Sequence, residues 1–451
     1  MARLFGTDGI RGVANRELTG ELAYSVGRAA VLVLAKGSRP DIVVGRDTRA
    51  SGEFLEAALA AGICSAGGNA VLLGVSTTPA VAFLTTDMGA AAGAVISASH
   101  NPAEYNGIKF FGANGYKVPD DAEDEIEAVV RSDRAERPVG RDLGRVVPAS
   151  EARERYLTHL ESLPGASLEG MRLVVDCAYG AACAVAPELL RRRGAEVIPI
   201  HDSPDGWNIN EKAGAIGPER MAATVIEVGA DGGVAHDGDA DRAIFADHLG
   251  RLIDGDQVLA ACATDLYTRG ELDGGTVVST VMANLGFRKA MTEAGIKVIE
   301  TRVGDRYVLE EMLRSGAVLG GEQSGHIIFL KHATTGDGLL TALQFFGLAS
   351  GSGRTVADLA QAMTRFPQVL VNVEVADRDA LEGSTRIWEA VRASEAALGD
   401  RGRVLVRASG TEPLVRVMVE APTEEEAATH ATAIAEAVSS ALGPFGMDSP
   451  A

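Results

Sequence analysis

Residues 172–200 read RLVVDCAYGAACAVAPELLRRRGAEVIPI. The β-branched run at 172–176 predicts a strand, 182–193 a helix and 195–200 a second strand. This alternation is the α/β signature, with largely parallel sheets buried between helices. The same pattern lies on either side. Upstream, 41–46 (DIVVGR), 70–75 (AVLLGV) and 93–98 (GAVISA) read as strands, and 51–66 as a helix. Downstream, helix 218–228 leads to the strand-like GGVAHD. A third restart follows: helix 256–268, strand 276–281, helix 284–294, strand 296–301, helix 306–314 and strand 317–320.

The last stretch changes character. Strand 369–375, helix 384–397, strands 403–407 and 415–420 and the long helix 424–441 predict an α+β unit with a hairpin. The charged segment 131–153, with Pro138, Gly140, Gly144 and Pro148, marks a boundary. Four segments are expected: 1–150, 151–252, 253–368 and 369–451.

Composition narrows the function. Lys and Arg number 42 against 62 Asp and Glu, a net charge of -20, which lacks the basic balance of a nucleic-acid or anionic-membrane binder. No stretch of 18 apolar residues occurs, and the start MARLFGTDGIRG has no apolar signal core. The expected location is the cytoplasm. Cys64, Cys177, Cys183 and Cys262 form no CxxC pair and are expected as buried free thiols.

The sharpest local feature is Asp237-Gly-Asp-Ala-Asp-Arg242. Small spacers let Asp237, Asp239 and Asp241 converge. Three carboxylates in contact repel one another until a divalent cation neutralises them, and oxygen-only ligands favour Mg²⁺. The closing glutamate of an EF-hand is missing, and a solvated acidic turn would carry the same residues. Residues 95–110 read VISASHNPAEYNGIKF, with Ser99 just past a strand, His100 beside it and Lys109 ten residues on. Serine is a weak nucleophile that needs such help. A turn or capping hydroxyl is the plain alternative, and the G-x-S-x-G elbow of hydrolases is absent.

Two further stretches can bind anions. In RASGTEPLVR, 407–416, Arg407 and Arg416 bracket Ser409, Gly410 and Thr411, a set suited to a phosphate cradle or to an ordinary hairpin turn. Arg11 sits in the Gly-rich GTDGIRG. In GEQSGH, 321–326, Glu322 and Ser324 can bond sugar hydroxyls, and His326 can be an acid, a hydroxyl ligand or a core histidine. His201, His236 and His332 are expected to be structural.

Taken together, SASHNP (97–102), DGDADR (237–242), GEQSGH (321–326) and RASGTEP (407–413) resemble the α-D-phosphohexomutase superfamily in its motif order. GTDGIRG, GDRYVLEE (304–311), Asn208-Ile-Asn210 and Thr334-Thr-Gly-Asp-Gly338 resemble its phosphoglucosamine mutase branch. The resemblance covers residues 3–442. It implies four domains around a central cleft, each supplying a loop, three of them similar mixed α/β domains and the last α+β. It implies Ser99 as a phosphoserine completing a Mg²⁺ shell with Asp237, Asp239 and Asp241. Arg11, Lys109 and Arg242 would surround the transferring phosphoryl group, with Lys109 and His100 as proton carriers. Glu322, Ser324 and His326 would meet the sugar, and Arg407, Ser409, Gly410, Thr411 and Arg416 the phosphate that is not reacting.

The implied reaction interconverts glucosamine 6-phosphate and glucosamine 1-phosphate through glucosamine 1,6-bisphosphate. The product would feed amino-sugar nucleotide and peptidoglycan synthesis. The implied partners are a small sugar phosphate and a second copy of the chain. A phosphoglucomutase or phosphomannomutase would use the same chemistry. Gln323 and the Asn208-Ile-Asn210 stretch favour the amino sugar. A Mg²⁺-dependent phosphatase fits less well, because hydrolysis needs neither the serine loop nor a distal cradle.

Overall fold

A six-stranded mixed sheet opens the chain. The computed structural model describes residues 3–6, 8–35, 39–132, 137–409 and 413–443. The first sheet runs Ile10–Val13, Tyr105–Gly112, Ala92–Ile96, Asp41–Arg46, Asn69–Val75 and Val146–Pro148 across its width. Its centre is parallel, as the pairing of Asp41–Arg46 with both neighbours shows, and Tyr105–Gly112 turns back antiparallel. That reversal puts Lys109 opposite Val95, next to the strand that carries the serine loop.

The second sheet runs Leu252–Ile253, Ala243–Asp247, Gly232–His236, Arg172–Asp176 and Glu196–Ile200. The hairpin Gly232–His236/Ala243–Asp247 is antiparallel, and its connection is the Asp237–Arg242 stretch. Both strands are wholly buried, so the turn is held on two covered strands and not on a free edge. The third sheet runs Lys297–Thr301, Thr276–Thr280, Leu319–Gly321 and Ile327–Phe329. Its last hairpin carries residues 321–326.

Phe245 of the second sheet packs on Phe345 and Phe346, with centroids at 4.8 Å and 5.3 Å. Each such buried ring stabilises the packing by about 1.5–3 kcal/mol. Those two phenylalanines lie on helix Gly338–Ser352, which no pattern in the sequence marks. Ten of its residues are buried and its apolar side chains go round the axis, so no stripe marks it. Asp337 caps it, accepting from the Leu339 and Leu340 amides.

Two expected elements differ in detail. The helix expected over 182–193 is a 3₁₀ turn, Ala181–Ala184, followed by the α-helix Ala186–Arg192. Pro187 starts the second piece, because proline fits a first helical turn but cannot continue one. The strand expected over 93–98 ends at Ile96, so Ser99 stands on a loop. The cysteines are free, but only Cys177 and Cys262 are fully buried. Cys64 and Cys183 are partly covered.

The chain divides into two compact units, Met1–Met282 with Met291–Ala362 and Ala283–Ala290 with Met363–Ala451. In the second, Gln368–Glu374, Leu414–Glu420 and Arg403–Ala408 form a three-stranded antiparallel sheet. Val415, Val417 and Val419 alternate inward against Ile387 and Val391 of helix Thr385–Leu398 and Ala427, Ala431 and Ile434 of helix Glu424–Leu442. Asn284 and the Leu285 amide bond the buried Glu420, which ties 283–290 to this sheet.

Candidate active site

Ser99 follows the central strand Ala92–Ile96, and its side chain is almost wholly buried. Its backbone is left-handed, φ 51°, a conformation that costs a residue with a Cβ and is kept only when its surroundings enforce it. Ser97 sets the turn: its hydroxyl accepts from the Ser99 amide at 2.9 Å and donates to Asp47 at 2.6 Å. The Ser99 hydroxyl then donates to Asp237 Oδ2 at 2.7 Å and stands 3.4 Å from His100 Nδ1.

Asp237, Asp239 and Asp241 converge as their spacing predicts. All three are buried, with carboxylate oxygens within 4.8 Å of one another. Gly238 allows the approach, since a Cβ there would lie 2.5 Å from the Ser99 carbonyl oxygen. Thr78 fixes the middle carboxylate. Its hydroxyl donates to Asp239 Oδ2 at 2.5 Å and its amide to the Asp239 carbonyl at 2.9 Å. Lys109 Nζ reaches the same Oδ2 at 3.0 Å.

The donor set fits a hard divalent cation. Oδ1 of Asp239 and Oδ1 of Asp241 are buried without a hydrogen-bond partner. Burial, with Asp241 and Asp239 beside it, pushes the Asp237 carboxyl well above its usual range. Burial also opposes ionisation of Asp241, but His326, Lys109 and Arg242 outweigh it and hold that carboxyl well below the usual range. One carboxyl of the set thus favours a proton, and a doubly charged, oxygen-seeking ion would displace it.

The bases around the triplet differ. Burial would neutralise Lys109, but Asp239 and Asp8 more than compensate and raise its pKa, so it stays an ammonium. Burial, with Arg242 and Arg11 near, lowers His100 to about 4. His100 is therefore neutral at pH 7 and able to accept a proton. His326 is buried, 3.6 Å from Asp241 and 3.9 Å from Asp305. Its ring packs where Gly336 leaves room, since a Cβ on that glycine would lie 2.4 Å from Cε1, and the Gly336 amide donates to Nε2 at 3.2 Å.

A cavity of about 800 Å³ opens over this centre, lined among others by Arg11, His100, Asp241, Arg242, Glu322, Ser324 and His326. Glu322 Oε1 accepts from the Gly304 amide at 3.1 Å, which joins 321–326 to the segment before helix Asp305–Ser315. The first unit therefore brings together all its expected site residues: Arg11, Ser99, His100, Lys109, the three aspartates, Arg242, Glu322, Ser324 and His326.

Arg407, Ser409 and Arg416 lie in the second unit. Arg407 and Arg416 stand directly opposite on neighbouring strands. Burial and the Arg416 charge lower the Arg407 pKa. Arg378 donates to the Ser409 carbonyl at 2.7 Å, a third guanidinium by this hairpin. Gly410 and Thr411 fall outside the described residues.

Several residues of the first unit escaped the sequence reading. Asp8 accepts from Lys117 at 2.7 Å and Lys109 at 3.3 Å, and bonds Arg11 as well. Lys117 also pairs with Asp305. Thr78, Arg49, Asp47 and Asn210 reach the site across long stretches of chain. Asp8 lies inside the quoted GTDGIRG and was within reach of sequence reasoning. Asn210 and Asp305 lie in the quoted Asn208-Ile-Asn210 and GDRYVLEE, which gave no hint of these contacts, and Lys117, Thr78, Arg49 and Asp47 have no local motif.

Four family models match in series. They are described as phosphoglucomutase/phosphomannomutase alpha/beta/alpha domain I over residues 2–137, domain II over 154–250, domain III over 254–366, and the C-terminal domain over 370–437. A phosphoglucosamine mutase from Moorella thermoacetica is 57% identical over 94% of this chain and 97% of its own length. The chain belongs to the phosphoglucosamine mutase family. A second member, from Desulforamulus reducens, is 54% identical over 93% of this chain and 95% of its own. A phosphoglucomutase/phosphomannomutase family protein of Burkholderia thailandensis shares the fold, with TM-score 0.82 over 97% of each chain at 24% identity. Members of this family are isomerases that interconvert sugar phosphates. The four-domain mixed α/β architecture expected from the motifs is the one the family models trace.

Proposed function

We propose that this isomerase interconverts glucosamine 6-phosphate and glucosamine 1-phosphate through a phosphorylated Ser99. The observation that carries the reading is the Ser99 hydroxyl, bonded to Asp237 within the buried carboxylate triplet beside a cavity of about 800 Å³. In this reading the segments 1–150, 151–252, 253–368 and 369–451 supply the serine, metal, sugar and phosphate loops in turn.

Asp237, Asp239 and Asp241 would hold Mg²⁺ with a phosphoserine oxygen. When bound, the ion would neutralise the carboxylates and withdraw charge from the phosphoryl oxygens. Lys109, Arg11 and Arg242 hold positive charge where the phosphoryl group passes, and Lys109 stays charged because Asp239 and Asp8 flank it. The Ser99 Oγ–phosphorus bond breaks as O1 of the 6-phosphate attacks; the O1 proton goes to a neutral base, for which His100 is suited, and the departing Oγ takes a proton from the Lys109 ammonium. The resulting glucosamine 1,6-bisphosphate turns round, Ser99 Oγ attacks the 6-phosphoryl group and returns its proton to Lys109, and the departing O6 takes the proton held by His100. Glu322, Ser324 and His326 face the sugar in either orientation, and Arg407, Ser409, Gly410, Thr411 and Arg416 receive the idle phosphate.

A mobile C-terminal segment 369–451, a cytoplasmic location and a homodimer belong to the same reading. No helix among the described residues is long and apolar enough to cross a membrane. The decisive test compares kcat/KM for glucosamine 6-phosphate, glucose 6-phosphate and mannose 6-phosphate, with Mg²⁺ and a trace of bisphosphate. A preference of about 100-fold for the amino sugar, roughly 2.7 kcal/mol, supports the reading. Equal turnover of a hexose phosphate moves the chain's activity to phosphoglucomutase or phosphomannomutase. Ser99→Ala should abolish both turnover and covalent labelling.

A further inference from the structure

Arg49 is the largest wholly buried side chain among the described residues. Its Nε bonds Asp47 Oδ2 at 2.9 Å, and Asp47 Oδ1 accepts from the Arg49 amide at 2.9 Å. The rest of the guanidinium is spent on the serine loop. Nη2 donates to the Ser99 carbonyl at 3.0 Å and the Asn101 carbonyl at 2.8 Å, and Nη1 donates to the Pro102 carbonyl. Asn210 comes from the second segment of the chain and donates through Nδ2 to the same two carbonyls, Ser99 at 2.9 Å and Asn101 at 3.0 Å. Two donors from residues 161 positions apart in sequence thus share one pair of acceptors.

We propose that Arg49 and Asn210 are positioning residues for phosphoryl transfer, a two-sided clamp that holds Ser99 left-handed with its hydroxyl on the carboxylate triplet. The inference rests on the function proposed above. The physical case has three parts. Ser99 is in a conformation that L-residues avoid, so something must hold it there. The carbonyls of Ser99 and Asn101 carry partial negative charge that would repel an incoming phosphoryl group. A buried cation and an amide hold them, while Asp47 balances the cation and also takes the Ser97 hydroxyl that fixes the Ser99 amide. Finally, the planar guanidinium spans three carbonyls at once, which a lysine ammonium on a flexible stem cannot reproduce.

Asn210 gives the clamp a second property. It belongs to the stretch after the second sheet's Glu196–Ile200 strand, and its own amide is fixed by the Ala178 carbonyl at 2.9 Å. The serine loop is therefore complete only when the first two sheets of this unit are docked. Neither Arg49 nor Asn210 touches the cavity over the triplet, so a change in either should spare substrate affinity.

The test uses the full-length protein with Asn210→Ala, Arg49→Lys and, as a control on the same seam, Thr48→Ala, whose hydroxyl bonds the Tyr179 carbonyl at 2.5 Å and not the serine loop. Two readouts are taken. Hydrogen exchange of the peptide containing Ser99–Asn101 should quicken at least tenfold in Asn210→Ala and remain at the parental rate in Thr48→Ala. This readout needs no substrate. Steady-state kinetics should show kcat down at least tenfold in Asn210→Ala, with KM within twofold and Thr48→Ala unchanged. Arg49→Lys, if it folds, should behave like Asn210→Ala. Unchanged exchange in Asn210→Ala overturns the clamp. So does a kcat within twofold of the parent, or an equal loss in Thr48→Ala. A parent without mutase turnover overturns the proposed function instead, and the exchange experiment still decides the clamp.

Discussion

Asp237 illustrates how one side chain can be ill-suited to the metal-free protein and suited to the reaction proposed above. It is buried beside two more carboxylates, and its own carboxyl favours a proton. Asp237→Asn imitates that protonated form, so in EDTA the variant should melt no lower than the parent. The parent should gain stability with Mg²⁺, about 2.7 kcal/mol when the ion is at a hundred times its Kd, and the variant should not. Thermal melts across a Mg²⁺ titration check both halves. A variant that responds to Mg²⁺ as the parent does would remove Asp237 from the ligand set. The triplet itself was legible because small spacers and alternate carboxylates have few other uses. Thr78, which fixes Asp239 from 161 residues away, was not. Nothing in the local sequence of a threonine at a helix start says which carboxylate it will meet.

At the level of elements, the site is a meeting of loops whose closeness depends on absent side chains. Gly238 lies against the Ser99 carbonyl and close to Asn210. Gly238→Ala would place a methyl group 2.5 Å from backbone oxygen, which must then shift. Such overpacking costs about 1–3 kcal/mol. We expect a lowered Tm and at least a tenfold loss of kcat, because Ser99 and Asp237 move apart together. Activity and melting of the purified variant check this, and parental kcat would show that the loops have slack. Most regular strands and helices could be read from the sequence by their periods, whereas helix Gly338–Ser352 could not. Apolar residues all round an axis carry no phase. Helix Ala186–Arg192 was misread at its start because a propensity pattern runs on through Val185, whose backbone (φ -134°) leaves the helical range, and Pro187 stands in the first turn of the helix that follows.

Over the whole molecule, stability should depend on acid in a way that one buried ring explains. His236 is wholly buried at the end of a central strand of the second sheet, and burial lowers its pKa to about 4. In the unfolded chain a histidine takes its proton below about 6.5. Between those values the unfolded state holds more protons, so stability falls as pH falls through this window. The contribution is on the order of 3 kcal/mol. His236→Gln should flatten the dependence of Tm on pH between 6.5 and 4 relative to the parent. Equal slopes would mean that other groups dominate the acid limb. The division into three α/β restarts and a different last unit was visible in the sequence, because chain order and sheet order largely coincide. An ion pair that crosses it, Lys117 with Asp305, was invisible because it links residues about 190 positions apart.

The two arginines that oppose each other on the hairpin of the second unit have a consequence at the bench. Like charges directly across a strand pair destabilise it, and dissolved salt weakens that repulsion. Under the function proposed above, sulfate or inorganic phosphate in a storage buffer would do more than screen: either dianion would settle between two guanidiniums and compete with a phosphorylated ligand for them. Kinetic constants gathered in such buffers would understate affinity by an amount that varies with the anion, so the buffer salt belongs beside the pH in any comparison of variants.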